Sequence, residues 1–252
     1  MTSVISPQTI IGHGVVIGQF SVIHPGVEIG SGTVIGSFCE IGSVSAERTV
    51  VGPDSTIRSY TNIQGGSTFG EGLQTGQYTM IRGGTRAGRN LQVGSNCELQ
   101  GSMEIGDYVR IQSGVHLGKG TSIGQFVWIF PNVLTVNDPL PPSKIHLSHR
   151  LEDMCCIAAN TLLMPGVRIG RGSFVAAGSV VRSDVADGDC VTGNPAERFS
   201  SIDKLVSMEH RIAHPWPRHF DRGYPTDVLD RAKKMAEEII NELRMNRKMS
   251  KS

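Results

Sequence analysis

The chain has 252 residues, with 24 basic side chains against 23 acidic ones, which is room for one large domain or two ordinary ones. That balance gives no electrostatic reason to expect a nucleic-acid or membrane-surface partner. Aromatic residues are few, while glycine reaches 31, above a background of roughly 7%, without a collagen period. Such a composition suits a thin, regular core of β-branched side chains.

The opening residues MTSVISPQTIIG lack a basic segment followed by an apolar run, so no signal peptide is expected. No stretch reaches the roughly 18 apolar residues that a membrane span needs. Cys39, Cys97, Cys155, Cys156 and Cys190 are odd in number and lack CxxC spacing, which points to a reduced, cytoplasmic chain.

From Ile5 onward an aliphatic residue recurs every six positions, through Ile11, Ile17, Ile23, Ile29, Ile35 and Ile41. Four extra residues intervene around Ser45–Arg48, and the register resumes at Val51 and runs to Ile129. A longer interruption covers about 134–156, and the register returns from Ile157 to Val181. Period six fits neither a helix nor a two-faced strand alone. It fits a short strand and a turn, repeated. Three hexads, 18 residues, close one triangular coil, with the aliphatic inward and the glycine that often follows it allowing a tight corner. The position four residues after the aliphatic is also inward and small, which accounts for Cys39 and Cys97 as packing residues. The register gives about 26 hexads, between eight and nine coils, or about 40 Å at roughly 4.8 Å per coil.

Within the repeat, residues 18 apart lie one above another. His116 lies 18 after Glu98, both point outward, and the carboxylate is expected to reach an imidazole N–H and orient a general base. Gln64, Arg82 and Gln100 form a polar ladder at the same spacing. Gln77 lies in the same stretch as Arg82; its side chain cannot accept a proton but can hydrogen-bond.

The segment from Val133 to about Asp153 holds Asn137, Asp138 and three prolines, so it is expected to project from the prism. Residues 157–170, 176–181 and 193–196 are rich in Ala and Gly, with Arg182 and Arg198 following. From Phe199 the register is lost. Residues 201–206 read as a short helix, 214–220 as irregular because of Pro215 and Pro217, and Thr226 as the N-cap of a helix to about Arg247. Val228, Met235, Ile239 and Leu243 fall on one face of that helix. Histidine spacing supports no metal site: His214 and His219 lie in the tail, and His146 and His149 in the loop.

The iterated I-G-x-x-x-x hexads, the Asn137-Asp138-Pro139 loop and the G-N-P-A at 193–196 after A-A-G-S-V-V together resemble the hexapeptide-repeat acyltransferases, in particular the branch that N-acetylates nucleotide-linked amino sugars. The resemblance covers about residues 5–198. It implies an all-β solenoid, a left-handed parallel β-helix over 1–198 with a projecting loop at 134–156, followed by a short α-helical tail over 199–252. It implies transfer from acetyl-CoA to the amine of a dTDP- or UDP-linked sugar for surface polysaccharide such as O-antigen, by a homotrimer with sites between subunits.

The resemblance further implies that Ala158, Ala159, Ala176, Ala177 and Gly178 admit the pantetheine arm, and that Arg182 and Arg198 meet the nucleotide phosphates. Asn137 and Asp138 would help cover the sugar nucleotide. Residues 75–82 resemble the T-G-H-H-V-x-I-R segment of that branch, with Gln77 where it carries His and Arg82 keeping its arginine, which implies that Gln77 bonds substrate and Arg82 pairs with a diphosphate. Other acceptors stay open: O-acetylation of a sugar or small hydroxyl, and acyl-carrier-dependent acylation of UDP-N-acetylglucosamine, although the G-H-D segment of that last family is missing. A non-catalytic β-helix scaffold is the reading from another class.

Overall fold

The structure is a computed structural model that describes residues 2–205 and 224–249. Short strands, mostly two residues long, wind into a parallel β-solenoid with three flat faces. The faces hold ten, nine and eleven strands among the described residues, and every parallel partner comes from the next coil. We call these faces A, B and C in the order in which the chain first meets them, at Val4–Ile5, Ile10–Ile11 and Val16–Ile17.

Period-six aliphatics make these strands because each inward side chain stacks on its equivalent one coil away. Ile63, Ile81, Leu99 and Leu117 stand in one such column on face A, all fully buried. Each buried Leu or Ile of this size contributes about 1.5–3 kcal/mol. The second inward position holds Ser21, Thr33, Cys39, Ser55, Thr61, Thr79, Thr85 and Cys97, all buried. Their hydroxyls satisfy corner carbonyls, as Thr79 Oγ1 does on Gly94 O at 2.7 Å. The thiols of Cys39 and Cys97 are pushed up by burial, which makes them inert packing groups.

The glycine after the aliphatic does a different job from the one expected. The left-handed corner residue comes three positions after the aliphatic and is often not glycine: Phe38 and Tyr60 stand there at φ 59° and 64°. The glycine beside the aliphatic instead permits close stacking of coils; a Cβ added to Gly106 would lie 2.7 Å from Gly124 C. On the corner between faces C and A, the left-handed residues Phe20, Phe38, Tyr60 and Tyr78 stack their rings at 4.9, 5.0 and 4.7 Å.

The coils outnumber the eight to nine expected, because three rungs fall where the register breaks. Leu134–Thr135 and Arg150–Leu151 are rungs of faces A and B inside the expected loop, and His149 is buried beside the second, so the projection narrows to 136–148. Near the end the coil shortens: Val175 pairs with Val191, 16 residues on. The earlier insertion of four residues behaves as expected, pairing Val27 with Thr49.

Residues 201–205 form no helix. Glu197–Ser201 is a strand antiparallel to Asp189–Thr192, closing the last coil with a hairpin, and a turn follows. The stretch 214–220, with His214 and His219, lies outside the described residues, as does Val206.

Helix α1 spans Thr226–Met249. The amides of Val228 and Leu229 bond Pro225 O at 3.1 Å, so Pro225 holds the N-cap position and Thr226 opens the first turn. Val228, Ala232, Ala236 and Ile239 are buried against Tyr108, Phe126 and Met154, the corner residues between faces B and C, with Met235 and Leu243 beside them. Tyr108 and Phe126 stack at 5.5 Å, Tyr224 meets Tyr108 edge-on at 5.2 Å, and Arg231 lies 5.1 Å over Phe126.

Gly106→Ala is expected to cost about 1–3 kcal/mol, since Gly124 and Gln125 backbone must shift to admit the methyl. Thermal melting checks this, and a melting temperature equal to wild type would contradict the stacking role.

Candidate functional site

Face A carries the polar ladder. Glu98 pairs in register with His116, and Met80 with Glu98, so the expected stacking is present. The amides behind these side chains are fixed by the coils: His116 N bonds Val133 O at 3.0 Å, and Glu98 N bonds Val115 O at 3.0 Å. Both side chains are about one-third exposed.

The contact between them differs from expectation. Glu98 Oε2 stands 3.9 Å from His116 Nε2, too far for a hydrogen bond. Gln100 fills the gap: its Nε2 donates to Glu98 Oε1 at 2.9 Å and lies 3.1 Å from His116 Nε2. Arg82 Nη2 donates to the same Glu98 oxygen at 2.9 Å. The ladder is therefore a chain running from Arg82 through Glu98 and Gln100 to His116. Arg82 is committed to a carboxylate, so a diphosphate would compete with Glu98 for it. As a half-exposed pair, Arg82–Glu98 contributes only about 0–1 kcal/mol. Its value lies in fixing where Glu98 points.

The projecting loop begins directly above this chain. Asn137 overlies Gly118, where an added Cβ would meet Thr135 Oγ1 at 3.3 Å and Asn137 Cβ at 3.5 Å. Asn137 O accepts from Leu147 N at 2.8 Å and closes the base of the loop. Asp138 serves the loop itself: Leu140 N, Ser143 N and Ser143 Oγ donate to its carboxylate at 3.0, 2.7 and 2.6 Å. The Ser143 hydroxyl, chiefly, holds this carboxyl below the usual range. Leu140 and Ile145 are exposed on the loop.

The remaining candidates lie elsewhere. Gln77 is exposed on the corner between faces C and A, and its amide bonds Ser95 Oγ at 3.1 Å. Ala159 and Ala177 continue that corner column in the last coils, beside Ala158, Ala176 and the left-handed Gly178. The amides of Ala158, Ala176 and Gly178 are spent on Val175, Val191 and Ala159 carbonyls at 2.9 Å. Small side chains keep this strip shallow. A Cβ added to Gly178 would have nothing within 4 Å, so the corner there is open. Arg182 is exposed at the top of face A and makes no ion pair among the described residues. Arg198, by contrast, binds Asp189 Oδ1 at 2.5 Å, and that hydrogen bond raises its pKa. The structure thus links His116, Glu98 and Arg82 through Gln100, places Asn137 over Gly118, and sets Gln77 and the alanine strip along the neighbouring corner.

His149 is not a loop residue. It is fully buried, with Nε2 on Met164 O at 3.0 Å, and burial lowers its pKa. Arg110 is also buried, stacked 4.5 Å over Tyr224 and bonded to Asn90. The signal for Arg110 was present, a charge in register with Trp128 beside an aromatic corner, but its partner Tyr224 comes from the distant tail. Among the described residues no cluster of His, Cys, Asp and Glu could hold a metal. No described helix is long and apolar enough to cross a membrane.

Residues 8–43 match the family described as bacterial transferase hexapeptide (six repeats), and residues 150–183 match the hexapeptide repeat of succinyl-transferase. A 2,3,4,5-tetrahydropyridine-2,6-dicarboxylate N-acetyltransferase of Clostridium perfringens is 44% identical over 72 residues, 29% of this chain and 30% of that protein. Its counterpart in Staphylococcus aureus is 37% identical over 62 residues, 25% of this chain and 26% of the relative. The chain thus spans under a third of the length of these curated relatives. Among solved structures, the UDP-N-acetylglucosamine acyltransferase of Campylobacter jejuni superposes with a TM-score of 0.54 at 15% identity, over 96% of this chain and 89% of that one. The Francisella novicida enzyme gives 0.54 at 17%, over 95% and 87%. At such identities the likeness is one of fold. Both family matches are to hexapeptide repeats, in keeping with the six-residue register of the solenoid.

Because the folded state of His149 resists protonation, the unfolded chain takes up the extra proton as pH falls below the usual His value of about 6.5. Stability is therefore complete above that pH and declines below it. Melting curves at pH 7.5 and 5.5 are expected to differ less for His149→Gln than for wild type; equal differences would contradict this.

Proposed function

We propose that the protein is an acetyl-CoA-dependent N-acetyltransferase acting on the amino group of a dTDP- or UDP-linked amino sugar for surface polysaccharide. The observation that carries this reading is the chain Arg82–Glu98–Gln100–His116 lying open on face A beneath Asn137. The curated relatives named as N-acetyltransferases support amine acylation. The nucleotide-sugar acceptor rests on the loop at 137–139 and the segment at 75–82.

In this reading the thioester comes along the shallow corner past Ala159 and Ala177, with Ala158, Ala176 and Gly178 beside it and Arg182 and Arg198 toward the nucleotide phosphates. The acceptor lies on face A, with Gln77, Arg82, Asn137 and Asp138 around it. The acceptor nitrogen attacks the thioester carbonyl, a C–N bond forms, and the C–S bond breaks. The amine proton passes to His116 Nε2 and then to the departing thiolate, which leaves as the thiol of coenzyme A. Glu98 stabilises the imidazolium that forms in between. Holding donor and acceptor together supplies most of the acceleration, since a neutral amine is already a good nucleophile.

One subunit offers only one wall for such an acceptor, and the apolar loop residues Leu140 and Ile145 face outward. A homotrimer with sites in the grooves between subunits meets both facts. With five free cysteines, all buried, the cytoplasm is the compartment that fits.

A second reading has its own support. The relatives act on a small cyclic dicarboxylate by their names, so a short anionic acceptor is the competing class. One screen separates the two: dTDP-, UDP- and GDP-linked amino sugars and tetrahydropyridine dicarboxylate, each with acetyl-CoA, reading free thiol. Thiol release with an amino sugar is expected, and release only with the dicarboxylate overturns the sugar assignment. Absence of coenzyme A binding by calorimetry would revive a non-catalytic scaffold. In the same assay His116→Ala is expected to lose roughly 10²–10⁴-fold in kcat, and wild-type turnover near neutral pH would remove His116 from the mechanism.

A further inference from the structure

We infer that Gln100 is a positioning residue that fixes which ring nitrogen of His116 carries the proton, holding it on Nδ1 and keeping Nε2 as the acceptor. The mechanistic meaning of this clamp rests on the base assignment made above, but the clamp itself does not.

The argument is one of hydrogen-bond polarity. A carboxylate can only accept, so the Gln100 atom 2.9 Å from Glu98 Oε1 must be the amide nitrogen. That same nitrogen lies 3.1 Å from His116 Nε2. An NH₂ group has two hydrogens and no acceptor lone pair to offer, so Nε2 must accept. A neutral ring that accepts at Nε2 carries its hydrogen on Nδ1. Nδ1 is buried and finds no partner among the described residues. Left alone, the ring would do better with the hydrogen on Nε2, turned toward Glu98 Oε2, which stands 3.9 Å away. Gln100 prevents that, because an Nε2–H would face a second N–H head to head.

The remaining links hold Gln100 in this pose. Arg82 donates to the same Glu98 oxygen and steadies the carboxylate. The Gln100 backbone N–H donates to Leu117 O at 3.0 Å, so its backbone sits one strand below the His116 rung's aliphatic. The Gln100 carboxamide also stands where an acceptor N–H would approach, since both donate to Nε2. Acceptor binding therefore replaces one donor by another at the same nitrogen, with the tautomer already set.

The test is ¹⁵N–¹H correlation of the imidazole nitrogens in the full-length protein at alkaline pH, where the ring is neutral. His116 signals are assigned by their loss in His116→Asn. Wild type is expected to show the hydrogen on Nδ1, and Gln100→Leu, which keeps the volume and removes the NH₂, to move it to Nε2. Gln64→Leu, two coils below in the same column, is the control and should leave the tautomer alone. In turnover, Gln100→Leu is expected to lower kcat at least about 10-fold with acceptor KM changed less than about twofold.

A wild-type ring protonated on Nε2, or a Gln100→Leu ring still protonated on Nδ1, overturns the proposal. A tautomer that follows Gln100 while His116→Ala keeps wild-type turnover supports the clamp and overturns the base assignment, so the two failures are distinguishable.

Discussion

Coil-to-coil hydrogen bonding sets everything else in this molecule. In the uninterrupted coils an outward strand residue donates its amide to the carbonyl 17 positions on, as His116 N does to Val133 O and Glu98 N to Val115 O. Bonds of this kind repeat along all three faces, so side chains 18 apart are held as neighbours across a strand spacing of about 4.8 Å. Among the described residues, contacts distant in sequence run through that ladder, through α1 and through Tyr224 just before it. Stability is correspondingly local, a sum of rung-on-rung contacts rather than of one globular core.

That ladder is why the fold could be read from the chain so directly. Period-six aliphatics are a backbone statement, and they placed Glu98 under His116 without any knowledge of side chains. Side-chain direction is another matter. Glu98 and His116 are neighbours, yet the two groups do not bond, because Gln100 from the adjacent outward column reaches across. Period and register cannot show diagonal contacts, which depend on rotamers and on competing partners such as Arg82. The long interruption is narrower than the period suggests: Thr135 lies six after Ile129 and Leu151 six before Ile157, and only the stretch between them leaves the register. His149 disappeared into the loop by the same error.

The tail illustrates the opposite limit. Val228, Met235, Ile239 and Leu243 were legible as one face of a helix, and that face is the one that packs. What it packs against was not legible. Tyr108, Phe126 and Met154 occupy the left-handed corner column where most coils place Gly or Asn. Large residues at positive φ are costly, and here three successive coils accept the cost. The corner between B and C is the docking strip for α1, while the ring stack from Phe20 to Tyr78 on the corner between C and A remains on the surface.

The insertions carry a further consequence for how such a chain can change. Four added residues near Ser45 and ten added before Arg150 both sit at a corner and return the chain to the face it would have reached anyway. A duplication of a single hexad would do the reverse. Placed between Arg82 and His116, it would carry every later residue one face around the prism, and His116 would leave the side that holds Arg82. Growth of this protein by whole coils preserves its chemistry, whereas growth by single repeats dismantles it, although both extend the same hydrogen-bonded ladder.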